Sequence, residues 1–234
     1  MTVKKNKANK NKKLERLTCI SMIEAIDNVK ANASKSARKF TESVEIAVML
    51  GIDSKQSSQN IKSSIVLPNG TGKQVKVVVI TPDESLQQAS KKAGAILVGF
   101  EDLISKIEDG FTEFDNCIAT PDAMQKLSKA AKKLGPRGLM PSPKNGTVTT
   151  DVVKAVQDCL KGKVNFKNEK NGIVHCMIGK VNFSSDDLAA NAKSVIKAIR
   201  DAKPEGVKGK YIKKCYFSTT MGSSVELLES GYNA

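Results

Sequence analysis

Residues 75–84 read Val-Lys-Val-Val-Val-Ile-Thr-Pro-Asp-Glu, and they decide the fold class. The first six form an apolar run broken by a single lysine, which is typical of a strand buried on both faces. The Thr-Pro-Asp-Glu that follows is typical of a helix start, because it supplies a capping hydroxyl, a proline suited to the first turn and early acids. The stretch therefore predicts a strand that leads directly into a helix.

This β-α unit repeats along the middle of the chain. Ile96–Val98 and Cys117–Ala119 are further short apolar strands, and residues 120–122 repeat the Thr-Pro-Asp pattern of a helix start. Strands buried on both faces and separated by helices predict a small, mainly parallel sheet with helices packed on its sides. Residues 68–159 are therefore predicted to form a three-layer α/β domain.

The N-terminal part of the chain predicts a helix and a strand. Ser21 and Glu24 form a capping box ahead of an apolar stripe with helical spacing. From Glu42 to Leu50 the period of the apolar residues changes to two, which predicts a strand with unequal faces. Residues 1–16 carry seven basic side chains against one acid and almost nothing apolar, so we expect a flexible basic arm that contacts phosphates or serves only as a solubilising tail.

The C-terminal part also predicts mixed structure. After a helix over about residues 151–160, Asn171-Gly172 is a strong signal for a two-residue hairpin turn between short strands at 164–166 and 173–175. A helix should begin at Ser184, with two acids in its first turn, and end before Pro204. A last strand is predicted from Tyr211 to Thr219.

The predicted fold class is α/β with two domains. Both chain ends, residues 17–67 and 160–234, would form an outer α+β domain with a split βαβ-like sheet and helices, and residues 68–159 would be inserted into it. Gly70-Thr71-Gly72-Lys73 resembles part of a phosphate-binding loop, but Gln74 stands where that motif needs a hydroxyl, so an interdomain hinge is the better interpretation. We assign this hinge to four residues, namely Pro68, Gly70, Gly72 and Leu160.

The charge distribution points to a polyanionic partner. The chain of 234 residues has a net charge of +14, from 38 basic and 24 acidic residues. Residues 1–67 contribute 13 basic and 6 acidic side chains, residues 160–234 contribute 13 and 7, and residues 68–159 contribute 12 and 11. The two ends therefore carry nearly all the excess and would form one basic surface.

Composition limits the other possibilities. The hydrophobic fraction is 40% but aromatics are only 4% and Trp is absent, so the core must be built from aliphatic side chains. Five cysteines stand far apart in sequence, which favours reduced cytosolic thiols over a zinc site or redox pair. We expect no signal peptide, membrane span, metal or cofactor.

The sequence contains no convincing catalytic constellation. His175 is the only histidine, and no motif supplies it with a nucleophile or an acid. Acid pairs such as Asp186-Asp187 lie in predicted first helical turns, where the helix dipole accounts for them. The Gly/Pro-rich stretch 135–146 contains Arg137 and Lys144, and it is either a rigid surface turn or a loop that holds an anion.

Several short motifs, in the right order along almost the whole chain, resemble the ribosomal protein L1 family. Residues 135–141 read Gly-Pro-Arg-Gly-Leu-Met-Pro, which is similar to the signature of that family. Further similarities lie at Leu50-Gly51-Ile52-Asp53, Gln59-Asn60, Leu67-Pro68, Gly72-Lys73, Lys203-Pro204-Glu205-Gly206 and Thr219-Thr220-Met221-Gly222. The chain departs from the family pattern at Lys62, Asn69 and Ser223, where Arg, His and Pro are the usual residues.

The resemblance implies a role without catalysis. Such a protein would bind large-subunit ribosomal RNA at the base of a mobile stalk, face exit-site transfer RNA with its inserted domain, and repress translation of its own operon mRNA. It would be a cytoplasmic ribosomal protein and a monomer outside the ribosome. The RNA-binding residues that the resemblance implies are Lys39, Phe40, Glu42, Lys167, Asn168, Lys170, Ser218, Thr219, Thr220, Met221 and Gly222. Arg137 and Lys144 would lie on the transfer RNA side.

The residue types at these positions suit RNA. Threonine hydroxyls exchange hydrogen bonds with 2′-hydroxyls, Gly222 permits close backbone approach, Phe40 offers a ring to a sugar or base, and lysines bind phosphates. Two other classes stay open on the sequence alone. One is an α/β enzyme with its site in the middle domain, and the other is a general nucleic-acid chaperone that binds by charge without a preferred site.

Overall fold

The computed structural model describes residues 18, 19, 21–35, 38–207 and 209–233. The predicted basic arm, residues 1–16, lies outside these described residues. In chain order the elements are β1 Thr18–Cys19, α1 Met22–Lys35, β2 Ser43–Leu50, β3 Lys62–Val66, β4 Val77–Ile80, α2 Glu84–Lys92, β5 Leu97–Gly99, α3 Glu101–Asp109, β6 Asn116–Ala119, α4 Pro121–Leu127, α5 Ala131–Leu134, α6 Val152–Leu160, β7 Lys163–Lys167, β8 Ile173–Lys180, α7 Ser185–Asp201, β9 Ile212–Thr219, β10 Val225–Leu227 and α8 Glu229–Asn233.

The two ends of the chain share one five-stranded sheet, in the order β1-β10-β9-β2-β8. Strand β2 lies between β8 and β9 and is antiparallel to both, whereas the short edge strand β1 is parallel to β10. The predicted alternation of β2 is confirmed, because every second residue from Val44 to Leu50 is buried and the intervening residues are half-buried. Strands β1 and β10 have only two and three residues, too few for a period to show in the sequence.

Helices α1 and α7 cover the buried face of this sheet. Ile26 and Val29 on α1, and Leu188 and Ile199 on α7, are fully buried in one core cluster with the β2 residues. The predicted start of α7 is confirmed: the Ser184 hydroxyl accepts a hydrogen bond from the backbone N–H of Asp187 at 3.0 Å. All core residues of this cluster come from residues 22–67 and 166–227.

The hairpin predicted at Asn171-Gly172 is wrong in its pairing. β7 forms a separate two-stranded antiparallel sheet with β3, and β8 instead joins β2. One bridge, between Asn168 and Val174, connects the residues around the turn. The turn needs four residues: the N–H of Gly172 donates to the carbonyl of Glu169, and Gly172 takes the left-handed backbone conformation that favours glycine. The Asn-Gly signal therefore marks the turn but not the partner strand.

The middle of the chain forms the predicted parallel sheet. Its three strands lie in the order β5-β4-β6, with β4 parallel to both neighbours. All four residues of β4 are at most 1% exposed, because α3 and α4 cover one side and α6 covers the other. The strand begins at Val77, two residues later than predicted. The cores of this part come from residues 77–159 and share no buried residue with the cluster around the five-stranded sheet.

The two Thr-Pro-Asp motifs start their helices differently. Thr120 is the residue before α4, and Pro121 is its first residue, as predicted. In the first motif the helix starts two residues later: Asp83 is the N-cap of α2 and Pro82 precedes it. The backbone N–H of Asp83 lies 3.4 Å from the Thr81 hydroxyl, so a turn at Thr81 replaces the first helical residues.

The cysteines that the structure describes in full are buried free thiols: Cys117, Cys159, Cys176 and Cys215. Burial raises the pKa of Cys117, Cys176 and Cys215 to about 12. Thiols of this kind stay protonated and behave as small core residues. Within the described part of the chain, no helix is long and apolar enough to span a membrane.

Candidate nucleic-acid interface

The end of β9 and the segment before β2 lie side by side at one end of the five-stranded sheet. Val44 pairs with Thr219, so the chain that enters β2 meets the chain that leaves β9. The N–H of Thr220 donates to the carbonyl of Ser43, and the N–H of Ser43 donates to the Thr220 hydroxyl, each at 3.1 Å. We call residues 38–42 and 218–222 the strand-end cluster.

A buried carboxylate holds this cluster together. Glu42 is 4% exposed, and its oxygens lie 2.9 Å from Nε of Arg38 and 3.2 Å from the backbone N–H of Met221. The Thr219 hydroxyl is the main cause that holds the pKa of Glu42 below its ordinary value, with further contributions from the Met221 N–H and the Arg38 guanidinium. Glu42 and Thr219, both predicted as RNA-binding, therefore lie beneath the surface and fix its shape.

Arg38 was missed by the sequence analysis. It also donates from Nη2 to the carbonyl of Met221 at 3.2 Å, so it joins both strand-end segments. The sequence signal was its position four residues before an acid, ahead of a strand, where no helix requires such a pair. One guanidinium therefore fixes the turn that follows β9.

The exposed members of the cluster are aromatic, apolar and basic. Phe40 is 54% exposed and Met221 is 61% exposed, which is unusual for large apolar side chains on a protein surface. Lys39 and Thr220 are also exposed. Beside them lies a cavity of about 360 Å³, bordered by Ala33, Ser34, Arg38, Lys39, Phe40, Thr41, Glu42, Val181 and Asn182. The cluster offers a ring, a thioether, a hydroxyl and a cation next to a concave surface.

Glycine is needed at position 222 for a reason that differs from the predicted close approach of RNA to the backbone. A Cβ at this position would lie 2.2 Å from the Thr219 hydroxyl oxygen, so any side chain would displace the buried threonine. The N–H of Gly222 also donates to the Thr219 carbonyl at 3.2 Å, which closes the turn. Glycine is therefore required by the protein itself at this position.

Lys167, Asn168 and Lys170 form a second group, which we call the turn cluster. Both lysines are exposed, whereas Asn168 is half-buried and bonded within the protein. Its side chain accepts a hydrogen bond from the N–H of Ile61 at 2.7 Å and donates to Asn60 at 3.1 Å. Lys62 lies opposite Lys167 across the β3–β7 pair, so three lysines surround a cavity of about 300 Å³.

The structure does not bring the two clusters together. Ser43, at the start of β2, pairs with Lys180, whereas Met49, near its end, pairs with Ile173 just after the turn cluster. Strand β2 has eight residues, so the clusters are separated by about 24 Å at roughly 3.4 Å per residue. The strand-end cluster lies at one end of the five-stranded sheet, whereas the turn cluster lies between the other end and the separate β3–β7 pair, so they are two surfaces rather than one site.

The predicted hinge residues lie where the chain passes between the two sheets. Gly70 and Gly72 both have positive φ, at 65° and 69°. A Cβ on Gly162 would lie 2.7 Å from the Gly70 Cα, so the outgoing and returning segments touch backbone to backbone. Pro68 and Leu160 are exposed beside this crossing.

The crossing is clamped by Asn191, which the sequence analysis missed. Asn191 is fully buried on α7, where it accepts from the Asn69 N–H at 3.1 Å and donates to the carbonyls of Gly70 at 3.0 Å and Ile178 at 2.8 Å. Its signal was an amide on the apolar stripe of the helix, three residues after Leu188. The amide fastens the outgoing segment to the five-stranded sheet.

Arg137 and Lys144 are both exposed in the middle part of the chain. Arg137 donates to the Thr112 hydroxyl. Lys144 lies in the 3-10 turn Pro143–Asn145, whose Asn145 carbonyl accepts from the Ser64 hydroxyl at 3.1 Å. The loop of Lys144 therefore rests on the β3–β7 pair. Among the described residues, no group of three or more His, Cys, Asp and Glu side chains could hold a metal ion.

Taken with the fold, the described residues define a basic α/β protein with aromatic and basic side chains exposed at one end of the five-stranded sheet and lysines exposed beside the β3–β7 pair. The model of the "Ribosomal protein L1p/L10e family" matches residues 29–223, and the chain belongs to this family. A curated relative is the "Large ribosomal subunit protein uL1" of Pseudoalteromonas atlantica, which is 47% identical over 196 residues and matched over 84% of each chain. The family resemblance predicted from the sequence is confirmed.

Proposed function

We propose that this chain is a structural protein of the large ribosomal subunit that binds large-subunit ribosomal RNA through the strand-end cluster. It works in the cytoplasm as part of the ribosome, needs no cofactor and catalyses no reaction. In this proposal it forms the mobile stalk beside the exit site and assists release of deacylated transfer RNA. It also represses its own operon mRNA, and outside the ribosome it is a monomer.

One observation carries the proposal: the buried Glu42 and the half-buried Arg38 hold the turn after β9, while Phe40, Thr220 and Met221 stay exposed. A rigid platform of this kind can present a hydroxyl and apolar groups to a sugar and a base without reorganising on binding. Lysines around it bind phosphates and set the position of the RNA.

The proposal includes two domains. Residues 17–67 and 160–234 form the RNA-binding domain, and residues 68–159 form an insert that faces transfer RNA with Arg137 and Lys144. This division is supported by the separate cores of the two sheets and by the contact of Gly70 with Gly162, which lets a chain leave and return at one point. It is also supported by the net charges, since the insert carries only one more basic than acidic residue.

The second candidate is a general nucleic-acid chaperone, which the net charge of +14 favours. Binding by charge alone is sequence-independent and depends steeply on salt. The two candidates differ in their preference for one RNA and not in their affinity at low salt.

A competition experiment separates them. A labelled fragment of large-subunit ribosomal RNA containing the stalk base is bound to the full chain at 150 mM salt, and bulk transfer RNA is added as competitor. We expect the labelled complex to survive a hundredfold excess of transfer RNA and to dissociate with an equal excess of unlabelled stalk RNA. Equal displacement by both competitors would favour the chaperone.

A further inference from the structure

The five-stranded sheet has a second face that α1 and α7 do not cover. Side chains on this open face come from alternate positions of four strands, and none of them belongs to the core cluster or packs against it. The open face is formed by Glu45, Ala47, Met49, Ile173, His175, Met177, Lys214, Tyr216, Ser218 and Glu226. They are half-buried or exposed.

Ala47 lies between two aromatic side chains on this face. It pairs with His175 on β8 and with Tyr216 on β9, so the three side chains form one row across the sheet. In an antiparallel sheet, a residue of a central strand makes both of its backbone hydrogen bonds with the same neighbouring strand. Its Cα atom therefore lies near 5.5 Å from the Cα of the hydrogen-bonded partner and near 4.5 Å from the Cα of the partner on the other side. His175 and Tyr216 are therefore attached about 10 Å apart, with only a methyl group between them.

Each of the two rings has a charged neighbour. Nζ of Lys214 lies 6.0 Å from the centroid of the Tyr216 ring, and Nε2 of His175 lies 4.0 Å from a carboxylate oxygen of Glu169. Lys214 also forms an ion pair at 2.8 Å with Glu226, which lies opposite Tyr216 on β10. The space above Ala47 is flanked by His175 on β8 and by Tyr216 on β9, and a methyl group forms its floor.

We propose that one unpaired RNA base stacks between His175 and Tyr216 above Ala47. Aromatic rings pack with centroids about 4.5–7 Å apart, so two rings whose Cα atoms are about 10 Å apart leave room for one base between them. Base stacking on exposed aromatic side chains of a sheet is a common mode of single-stranded RNA recognition. A larger residue at position 47 would fill the same space.

The position of the row within the sheet favours RNA as the occupant. It lies along β2 between the strand-end cluster and the turn cluster, and Ser218 of the strand-end cluster is on the same face, two residues from Tyr216; in this respect the inference rests on the proposed function. The next row places the Glu45 carboxylate beside Met177 and Ser218, where it can accept from the amino group of adenine or cytosine. Lys170 is exposed in the turn before β8, where it can bind a phosphate, and Lys214 is exposed and forms an ion pair with Glu226.

The test uses the full chain and a six-nucleotide oligouridylate with 2-aminopurine at its centre, because uridines stack weakly on that base in the free strand and stacking on a protein ring quenches its fluorescence. We expect quenching on binding, and we expect Ala47→Leu to abolish the quenching and weaken binding about tenfold. Tyr216→Leu and His175→Leu should act in the same direction, and Tyr216→Phe should retain quenching. Met49→Leu, on the same face but outside the gap, is the matched control. Circular dichroism checks the fold of each variant.

Unchanged quenching in Ala47→Leu would overturn the proposal, and so would binding without quenching in the unaltered chain. A photo-cross-linking residue in place of Met49 adds a test in ribosomes: cross-links to RNA support the proposal, and cross-links to a protein overturn it.

Binding of stalk RNA by the Thr220→Val variant is measured in parallel. Loss of the stalk RNA preference with intact quenching would contradict only the proposed function. Loss of quenching with an intact stalk RNA preference would contradict only the stacking site.

Discussion

The guanidinium of Arg38 lies 2.9 Å from the Glu42 carboxylate and donates to the carbonyl of Met221, 183 residues further along the chain. Glu42 in turn accepts from the N–H of Met221. The segment before the second strand and the turn after the ninth are thus joined by one charge pair, of which the carboxylate is 4% exposed. Removing one partner would leave the other without its main neighbour.

Glu42→Gln should therefore destabilise the fold in a pH-dependent way. The pKa of Glu42 is lowered in the folded protein from its ordinary value of 4.5, chiefly by the Thr219 hydroxyl. A lowered folded pKa means that the carboxylate stabilises the fold above pH 4.5 and that this contribution is lost as the pH falls through the folded pKa. Urea unfolding of both proteins between pH 7 and pH 3 measures it.

We expect the difference in unfolding free energy between the two proteins to be constant above about pH 5.5 and to shrink toward pH 3. Because the other acids are common to both proteins, the difference isolates Glu42. A difference that does not change with pH would contradict the role of the charge. Stalk RNA affinity should fall as well, since Met221 and Gly222 lose their support.

Thr220→Val should weaken binding of stalk ribosomal RNA by about 1–3 kcal/mol, the usual cost of an unpaired polar partner. The hydroxyl also accepts from the N–H of Ser43, so part of the cost appears in the stability of the free protein. Thr220→Ser keeps the hydroxyl and serves as the control. Filter binding should show a loss for Val and near-normal affinity for Ser, and equal affinities for all three proteins would refute the contact.

Removal of residues 1–13 should change the salt dependence of binding rather than its preference. Six lysines in this segment act through phosphate attraction and counterion release. We expect a shallower plot of log K against log salt for both stalk RNA and transfer RNA. The ratio of the two affinities should stay the same, and a truncated protein that loses its preference for stalk RNA would place specificity in the segment removed.

Local sequence signals predicted much of the fold, because strands and helices follow from nearby residues. The burial of Val77–Ile80 and the Ser184 cap are properties of a few consecutive side chains, and both were predicted. The partner of β7 was not, since Asn171-Gly172 fixes a turn while the choice between β3 and β8 depends on residues a hundred positions away. Pairing is a property of the whole sheet.

The candidate interface was predicted as a list of positions but not as a shape. Family resemblance supplied Thr220 and Lys167, and the structure places Thr220 just after β9 of the five-stranded sheet and Lys167 on β7 of the separate β3–β7 pair. Arg38 and Asn191 were missed, because each also bonds a residue more than a hundred positions away, namely Met221 for Arg38 and Gly70 for Asn191. Neither a period nor a motif records such long-range hydrogen bonds.

Asn191→Ala should destabilise the protein by about 1–3 kcal/mol, because the buried Ile178 carbonyl and the partly buried Gly70 carbonyl lose their donor. The Asn69 N–H loses its acceptor as well. Asn165→Ala, at an exposed position of β7, is the matched control and should change stability by less than about 0.5 kcal/mol. Urea unfolding of the two variants compares them, and equal stabilities would contradict the clamp.

The most direct measurement replaces residues 71–160 with a short Gly/Ser linker and compares binding of stalk RNA with that of the full chain. Gly70 and Gly162 touch, so a short loop closes at low entropic cost, and the Asn191 clamp on Gly70 is retained. We predict a folded protein by circular dichroism with a Kd within about tenfold of the full chain, a loss of no more than about 1.4 kcal/mol. An unfolded protein would mean that the chain ends do not form one domain, and a folded protein that no longer binds stalk RNA would place the RNA surface on the removed residues.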